Sequence, residues 1–124
     1  MQLKASVVSL TCCAGCVSSL LNAGEGLTEI LLNELDIIYS PTFIDLKDIP
    51  RVDVAIVEGG VRTERDEETI REIRAKSNIL VALGLCATHG GITSLGNLSS
   101  ARRLIEKAYS IIDSTRLPEL KDLM

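Results

Sequence analysis

The sequence predicts an α/β domain built on an open parallel sheet. Four short apolar runs alternate with segments that have the periodicity of helices. The run at residues 52–57 is almost continuously apolar, which is typical of a strand buried on both faces. Right-handed crossovers between such strands give the spatial order 2-1-3-4, with helices on both faces of the sheet. These observations predict a flavodoxin-like arrangement.

The elements follow from local signals along the chain. The first strand is predicted at residues 3–10. Residues 17–33 have apolar side chains at helical spacing, and Gly24 and Gly26 inside this stretch predict a kink or a split. The other predicted elements are strands at 35–43 (stopped at Pro41 or shortly after it), 52–57 and 79–83, helices at 64–76 and 99–112, a glycine-rich loop at 86–96 and a tail from 118.

The two later helices have recognisable ends. The helix at 64–76 begins with acidic residues and ends with basic ones, an order that complements the helix dipole. Ser99 or Ser100 is a suitable N-cap for the last helix. Arg62 and the charges at 64–68 are expected to form a solvated face.

Composition limits the class of protein. The 124 residues fit one domain, residues 1–124, and 46% are hydrophobic, with two Tyr, one Phe and no Trp. The net charge is −4 and the basic residues are scattered, which argues against a nucleic-acid partner. No apolar stretch has the length of a membrane span, and the first residues lack the features of a secretion signal. A cytoplasmic protein is expected, in which clustered cysteines favour metal binding or redox work over disulfides.

All four cysteines lie in two predicted turns, at residues 11–16 after the first strand and at Cys86 after the fourth. The carboxyl ends of parallel strands share one edge of a sheet, where ligands bind at the switch point, so the thiols should converge. The Cys-x-x-Cys spacing alone also fits a dithiol redox pair or half of a zinc site. The third thiol in a second loop favours an iron–sulfur cluster. The helix N-terminus after the first turn is expected to lower the thiol pKa.

Several residues around the thiols complete the candidate site. Between the two cysteine turns lies the loop after the third strand, whose glycines leave room for a bulky group. Its Glu58 is either a solvated strand-end carboxylate or a group that contacts a partner subunit or relays protons. Glycines near Cys86 predict close backbone approach, with N–H groups directed at sulfur. The candidates are Cys12, Cys13, Cys16, Cys86, Glu58, Gly59, Gly60, Gly84 and Gly90.

Three sequence motifs resemble those of one known family. They are Cys-x-x-Cys after strand 1, Glu-Gly-Gly after strand 3, and Gly-x-Cys-Ala-x-x-Gly-Gly-Ile after strand 4. This pattern resembles the small subunit of nickel–iron hydrogenases, above all the cytoplasmic archaeal type that reduces methyl viologen. Residues 57–62 and 95–98 extend the similarity over nearly the whole chain. The fold is related to the cluster-bearing subunit of complex I, whose adjacent cysteines after strand 1 are similar to Cys12-Cys13.

The resemblance implies a role in electron transfer. Cys13, Cys16 and Cys86 would be three ligands of a proximal 4Fe-4S cluster beside the nickel–iron site of a large subunit. Further iron–sulfur or flavin subunits would receive the electrons. The chain lacks the nickel ligands of the large subunit, so it would not be catalytic alone.

The family's fourth ligand lies in a Gly-Cys-Pro segment that this sequence does not contain. A chain truncated before that segment is the first explanation, and an incomplete or absent cluster would follow from it. The alternatives are a naturally short or split subunit, Cys12 as the fourth thiolate, and a cluster completed by another chain or lost on isolation. Otherwise Cys12 is expected to be a small buried apolar residue.

Other functions remain open from the residues alone. One is a thiol–disulfide oxidoreductase that uses Cys13 and Cys16. Another is a non-catalytic binding or assembly module, with zinc as a candidate metal. The resemblance adds a complex I-like electron-transfer subunit as a further alternative. His89, the one histidine, is expected to be a structural or surface residue.

Overall fold

Four parallel strands form the centre of the structure, a computed structural model that describes residues 2–42, 44–45 and 47–109. Their order in the sheet is β2-β1-β3-β4, which confirms the predicted order 2-1-3-4. The strands are β1 (Leu3–Ser9), β2 (Leu35–Tyr39), β3 (Val52–Glu58) and β4 (Ser77–Leu83).

The register brings three strand ends to the same level. Ser9 at the end of β1 pairs with Glu58 at the end of β3, and Glu58 pairs with Leu83 at the end of β4. The loops that follow these strands therefore leave the sheet side by side at one edge.

Two crossovers place helices on the two faces of the sheet. The crossover from β1 to β2 and the crossover from β3 to β4 run in opposite directions along the sheet. Right-handed connections then put their helices on opposite faces. None of the helices in the described part of the chain combines the length and apolar character needed to cross a membrane. The helices are α1 (Gly15–Leu21), α2 (Glu25–Glu34), α3 (Glu64–Lys76), α4 (Gly84–His89) and α5 (Ala101–Ala108), with a 3₁₀ helix at Ile92–Leu98.

The structure confirms the predicted break in the first helical stretch. Gly24 separates α1 from α2 with a φ of +97°, a conformation that favours glycine because it has no Cβ. The predicted helix at 64–76 has the observed bounds of α3. The strand predicted at 35–43 ends earlier, at Tyr39, and β4 begins two residues before the prediction, at Ser77.

The glycine-rich loop predicted at 86–96 is wrong. This stretch contains most of α4 and the first part of the 3₁₀ helix, and the glycines between them end one helix and begin the next. Gly90 and Gly91 have φ values of +81° and +43°, so they supply the left-handed turn that separates two helical segments. Cys86 consequently lies inside a short helix rather than in an irregular loop.

The last helix is shorter than predicted within the described residues. It begins after Ser100, whose hydroxyl accepts a hydrogen bond from the Arg103 N–H at 3.3 Å, as expected for an N-cap. The predicted continuation to residue 112 and the tail from 118 lie outside the described residues.

The core lies between the sheet and α3 and consists almost entirely of aliphatic side chains, as the composition predicts. Ile73 of α3 is 1% exposed, and burial of one such side chain contributes about 1.5–3 kcal/mol. The buried cluster contains Val8, Tyr39, Ile49, Val52, Ala55, Val57 and Ile73.

Asp66 fixes the start of α3 and joins it to the loop after β1. Its Oδ2 accepts hydrogen bonds from the Thr63 N–H at 2.9 Å, the Arg62 N–H at 3.0 Å and the Thr11 hydroxyl at 2.8 Å. The Asp66 N–H donates to the Thr63 hydroxyl at 3.1 Å, which completes a capping box. Burial alone would raise the Asp66 pKa, but the hydrogen bonds to the carboxylate outweigh it and lower the pKa below its ordinary value.

Replacing Asp66 with Asn should lower the free energy of unfolding by about 1 kcal/mol at neutral pH, since it removes a capping carboxylate. Because the folded-state pKa is lowered, this stabilisation is present above the unfolded-state pKa and is lost as the pH falls through the folded-state value. Urea unfolding at about pH 7 and about pH 3 should therefore show a difference between wild type and Asp66→Asn that shrinks at the lower pH.

Glu68→Gln is the control, because it removes a charge from an exposed position near the start of the same helix. It should leave the unfolding midpoint nearly unchanged at both pH values. An equal loss in the two variants would contradict the role assigned to Asp66.

Candidate metal centre

Three loops meet at the carboxyl edge of the sheet, and two of them carry all the cysteines. Cys12 and Cys13 lie between β1 and α1, Cys16 lies in the first turn of α1, and Cys86 lies in α4 directly after β4. All four are free thiols. The structure therefore brings the two cysteine turns to one edge, as their places after parallel strands predict.

Glycines pack against the sulfur atoms of the first loop. A Cβ built at Gly15 would lie 3.1 Å from the Cys13 Sγ. Gly84, at the start of α4, faces Cys16 so closely that a Cβ there would overlap its Sγ. Gly84 also has a φ of +82°, so both space and backbone conformation require glycine at this position.

The third predicted ligand has the same kind of neighbour. A Cβ built at Gly91 would lie 2.9 Å from the Cys86 Sγ and 2.9 Å from the Cys86 backbone nitrogen. Gly90 contacts Ser94 instead, and its N–H donates to the Cys86 carbonyl at 3.2 Å, so its predicted role beside sulfur falls to Gly91.

The electrostatic surroundings distinguish Cys16 from Cys12. Partial burial raises the pKa of Cys16, and the charge of Glu58 and the thiols of Cys13 and Cys86 raise it further. Burial also raises the pKa of Cys12. The hydrogen bond from the Ala14 N–H at 3.3 Å lowers this pKa, whereas the charges of Glu58 and Cys13 raise it further. Thiols of both loops therefore contribute to the raised pKa of Cys16, whereas Glu58 and Cys13 contribute to the raised pKa of Cys12.

The predicted lowering of thiol pKa by the helix N-terminus is wrong for Cys16. Removal from water and the nearby Glu58 carboxylate both disfavour a thiolate there, and together they raise the pKa of Cys16 above its ordinary value. In the metal-free protein this thiol is neutral at physiological pH, and metal binding would have to release its proton.

Glu58 is buried, so its interpretation as a solvated strand-end carboxylate is wrong. The residue is 1% exposed, and its two oxygens accept hydrogen bonds from different elements. The Ser9 hydroxyl donates to Oε1 at 2.6 Å, and the Val17 N–H at the start of α1 donates to Oε2 at 3.0 Å. Glu58 thus holds α1, and with it Cys16, against the end of β3; contact with a partner or proton relay stays a prediction.

Gly59 and Gly60 allow the loop after β3 to touch its neighbours. Gly59 has a φ of +91°, and a Cβ there would lie 2.8 Å from the Thr11 carbonyl oxygen and 3.0 Å from the Cys12 Cβ. Gly60 exchanges two backbone hydrogen bonds with Thr11, at 2.9 and 3.2 Å, and a Cβ on it would overlap the Thr93 hydroxyl. The space that these glycines leave is predicted to admit a bulky group, but in the structure the neighbouring loops occupy it.

Sequence reasoning misses the part played by Arg62. The solvated face predicted for it is wrong, because the residue is 5% exposed and its Nη1 donates to the Asn97 Oδ1 at 2.7 Å. Arg62 precedes Thr63, the N-cap of α3, so it belongs to the loop and not to a helix face. The position of Arg62 before the N-cap of α3 is the sequence signal that it lies outside the helix face. His89 is exposed, as predicted, with its Nδ1 2.8 Å from the Thr88 hydroxyl.

Among residues 2–42, 44–45 and 47–109, no three His, Cys, Asp or Glu side chains are arranged to hold a single metal ion. Thiols on two loops, each with a glycine beside its sulfur, are the kind of side chain that iron–sulfur clusters use as ligands.

Comparison with known proteins identifies the family to which the chain belongs. The model of the family described as NADH ubiquinone oxidoreductase, 20 Kd subunit, matches residues 13–118. A subunit of the F420-non-reducing hydrogenase vhu of Methanococcus voltae is 43% identical over 119 residues, 96% of this chain and 41% of the relative. The corresponding subunit from Methanocaldococcus jannaschii is 47% identical over 116 residues, 93% of this chain and 40% of the relative. The chain thus spans about two fifths of the length of these relatives.

A solved structure has the same fold. The crystal structure of NAD+-reducing [NiFe]-hydrogenase in the H2-reduced state contains a chain that matches with a TM-score of 0.80 and 28% identity. The match covers 100% of this chain and 68% of that one. The predicted fold and the resemblance read from the cysteine motifs are both confirmed. The chain belongs to the family of the 20 Kd subunit of NADH ubiquinone oxidoreductase.

Proposed function

We propose that this chain is the electron-transfer domain of a nickel–iron hydrogenase and that Cys13, Cys16 and Cys86 are three thiolate ligands of a 4Fe-4S cluster. The observation that carries the proposal is the convergence of these thiols from two parallel strand ends, each with a glycine packed against its sulfur. Two relatives bear the name of hydrogenase subunits, and the solved neighbour is part of a nickel–iron hydrogenase.

The residues present fit such a group in kind. Thiolates are the ligands that iron–sulfur clusters use, and backbone N–H groups near sulfur adjust their potential. When bound, the cluster supplies one-electron transfer. The chain's own residues hold it: Glu58 fixes the turn that carries Cys16, and Gly84 and Gly91 keep side chains out of the space beside the sulfur atoms.

Cys12 is the weaker candidate for the fourth position. The motif resemblance implies that Cys13, Cys16 and Cys86 are ligands and leaves Cys12, whose sulfur accepts the Ala14 N–H at 3.3 Å, outside that set. We favour a fourth ligand from outside the first cysteine loop.

The partners in this proposal are a large subunit with the nickel–iron site and further iron–sulfur or flavin subunits, in a cytoplasmic complex. An apolar surface beside Cys86 supports such docking, because large side chains there are mostly exposed. The exposed residues are Leu85 (64%), Ile92 (73%), Leu95 (60%) and Leu98 (85%). A complex I-like subunit would use the same thiols and differ in its partner.

A thiol–disulfide oxidoreductase is less well supported. The raised pKa of Cys16 makes its thiol a poor attacking group, so Cys13 would have to be the attacking thiol of such a pair. A dithiol pair of Cys13 and Cys16 would also not explain why Cys86 lies near them.

Cys86→Ser should lose most of the cluster, whereas Cys12→Ser should retain most of it. Of these two residues, Cys86 is a proposed ligand and Cys12 is not. The measurement is anaerobic reconstitution of the chain with ferrous iron, sulfide and a small thiol that can supply a missing ligand. Iron and sulfide per chain are then assayed, and EPR spectra are recorded after dithionite reduction. Equal losses in the two variants would make Cys12 a ligand, and absence of any iron–sulfur signal in wild type together with its partner chains would overturn the proposal.

Gly84→Ala should lower iron occupancy and destabilise the fold, since its Cβ would overlap the Cys16 sulfur and its φ is positive. We expect a loss of about 1–2 kcal/mol in the free energy of unfolding from the left-handed backbone conformation alone. Gly26→Ala is the matched control, because Gly26 lies inside α2 with no atom within 4 Å of a built Cβ. It should raise stability by about 0.5–1 kcal/mol and leave iron occupancy unchanged. Equal iron occupancy in the two variants would remove the role given to Gly84.

A further inference from the structure

Arg62 is buried and joins two of the three loops. Arg62 lies in the loop after β3, and its side chain extends to the 3₁₀ helix, where its Nη1 donates to the Asn97 Oδ1 at 2.7 Å. The guanidinium also packs on the backbone of that helix: a Cβ built at Gly96 would lie 2.5 Å from Nη2 and 2.9 Å from Cζ. The absence of a side chain at Gly96 is what lets the guanidinium lie there.

The charge of Arg62 has no acidic partner in the part of the chain that the structure describes. The ion pairs found there join Arg71 to Glu67, Lys76 to Glu72 and Arg102 to Glu106. A buried charge is expensive to desolvate, and an apolar side chain of similar volume is often as good for stability. The directional bond to Asn97, rather than stability alone, is therefore the property that distinguishes arginine at this position.

Hydrogen bonds within the segment between Cys86 and Asn97 connect its successive turns, so that a displacement of one end is transmitted to the other. The Gly90 N–H donates to the Cys86 carbonyl at 3.2 Å, and the Ser94 N–H donates to the Gly90 carbonyl at 2.9 Å. The Thr93 hydroxyl donates to the same Gly90 carbonyl at 2.7 Å. A shift of the 3₁₀ helix would therefore move Cys86 as well.

The first cysteine loop is held by different contacts. Glu58 accepts the Val17 N–H, and Asp66 accepts the Thr11 hydroxyl, so neither contact involves the Arg62 side chain. Loss of that side chain should consequently act on one cysteine loop and spare the other.

We propose that Arg62 is a positioning residue, which fixes the segment that carries Cys86 against the loop after β3 and so keeps Cys86 within reach of Cys16. The value of this placement rests on the proposed role of Cys86 as a cluster ligand. The placement itself is a property of the metal-free chain and can be measured without iron.

The test is crosslinking of the reduced, metal-free chain with dibromobimane, a short reagent that joins two nearby thiols, with the linked pairs identified by mass spectrometry. Wild type should yield both the Cys13–Cys16 and the Cys16–Cys86 products. Arg62→Met should lose most of the Cys16–Cys86 product, because the segment that carries Cys86 is then no longer fixed to the loop after β3. The Cys13–Cys16 product should stay at the wild-type level.

Four further variants test the contact between Arg62 and Asn97. Asn97→Ala should have the effect of Arg62→Met, and the double variant should add little, because both remove one hydrogen bond. Asn97→Asp keeps an acceptor and should keep the crosslink. Arg71→Met removes an exposed arginine from α3 and is the matched control for loss of charge.

Urea unfolding of the same variants separates positioning from general damage. Wild-type Cys16–Cys86 crosslinking in Arg62→Met would overturn the inference, and so would equal loss of both crosslinked products. Reconstitution with iron and sulfide then tests the link to function: Arg62→Met should lose iron faster than wild type by about tenfold or more. A wild-type chain that crosslinks as expected but never forms an iron–sulfur signal with its partners would refute the proposed function and leave the positioning role intact.

Discussion

The close contact of the loop after β3 with both cysteine loops is the constraint on which the candidate site depends. Gly59 and Gly60 make it possible, because a Cβ at either position would meet the loop after β1 or the side chain of Thr93. The parallel register brings the three loops to one edge, but register alone leaves them free to splay apart. The paired hydrogen bonds between Thr11 and Gly60 close the first gap, and the packing of Gly60 on Thr93 closes the second.

Two buried side chains of opposite charge then give each cysteine loop its own anchor. Glu58 binds the start of α1 and Arg62 binds the 3₁₀ helix, and the two do not form an ion pair with each other in the described residues. A carboxylate suits the first role because the N–H groups at a helix start are free to donate to it. A guanidinium suits the second because its long side chain carries several N–H donors, one of which meets the Asn97 Oδ1 at 2.7 Å. The separation of the anchors means that the two halves of the thiol set can be disturbed independently.

Much of this arrangement could be predicted from the sequence, and the failures have a common physical cause. The strand order follows from alternation and handedness, and the bounds of α3 follow from Thr63 and Asp66, which form a local capping box. The stretch after β4 differs from its prediction because glycines there separate two short helices, and composition alone does not distinguish that from a loop. The burial of Arg62 and Glu58 escapes prediction because their partners, Asn97 and Val17, are distant in sequence. Local signals fix elements, whereas burial is decided by contacts between elements.

The electrostatics of the metal-free site follow from these same anchors. Glu58 must be close to α1 to hold it, and that proximity places a carboxylate near Cys16, where it disfavours a second negative charge. The thiols of Cys13 and Cys86 add to the effect, because ionisation of any one makes ionisation of the next more costly. The raised pKa of Cys16 therefore favours a neutral thiol at that position in the metal-free site, which is compatible with the burial of Glu58. In the proposed function, a group that brings positive charge, as iron does, would stabilise a thiolate at Cys16 beside this carboxylate, so the residue that anchors α1 would also favour a cationic occupant.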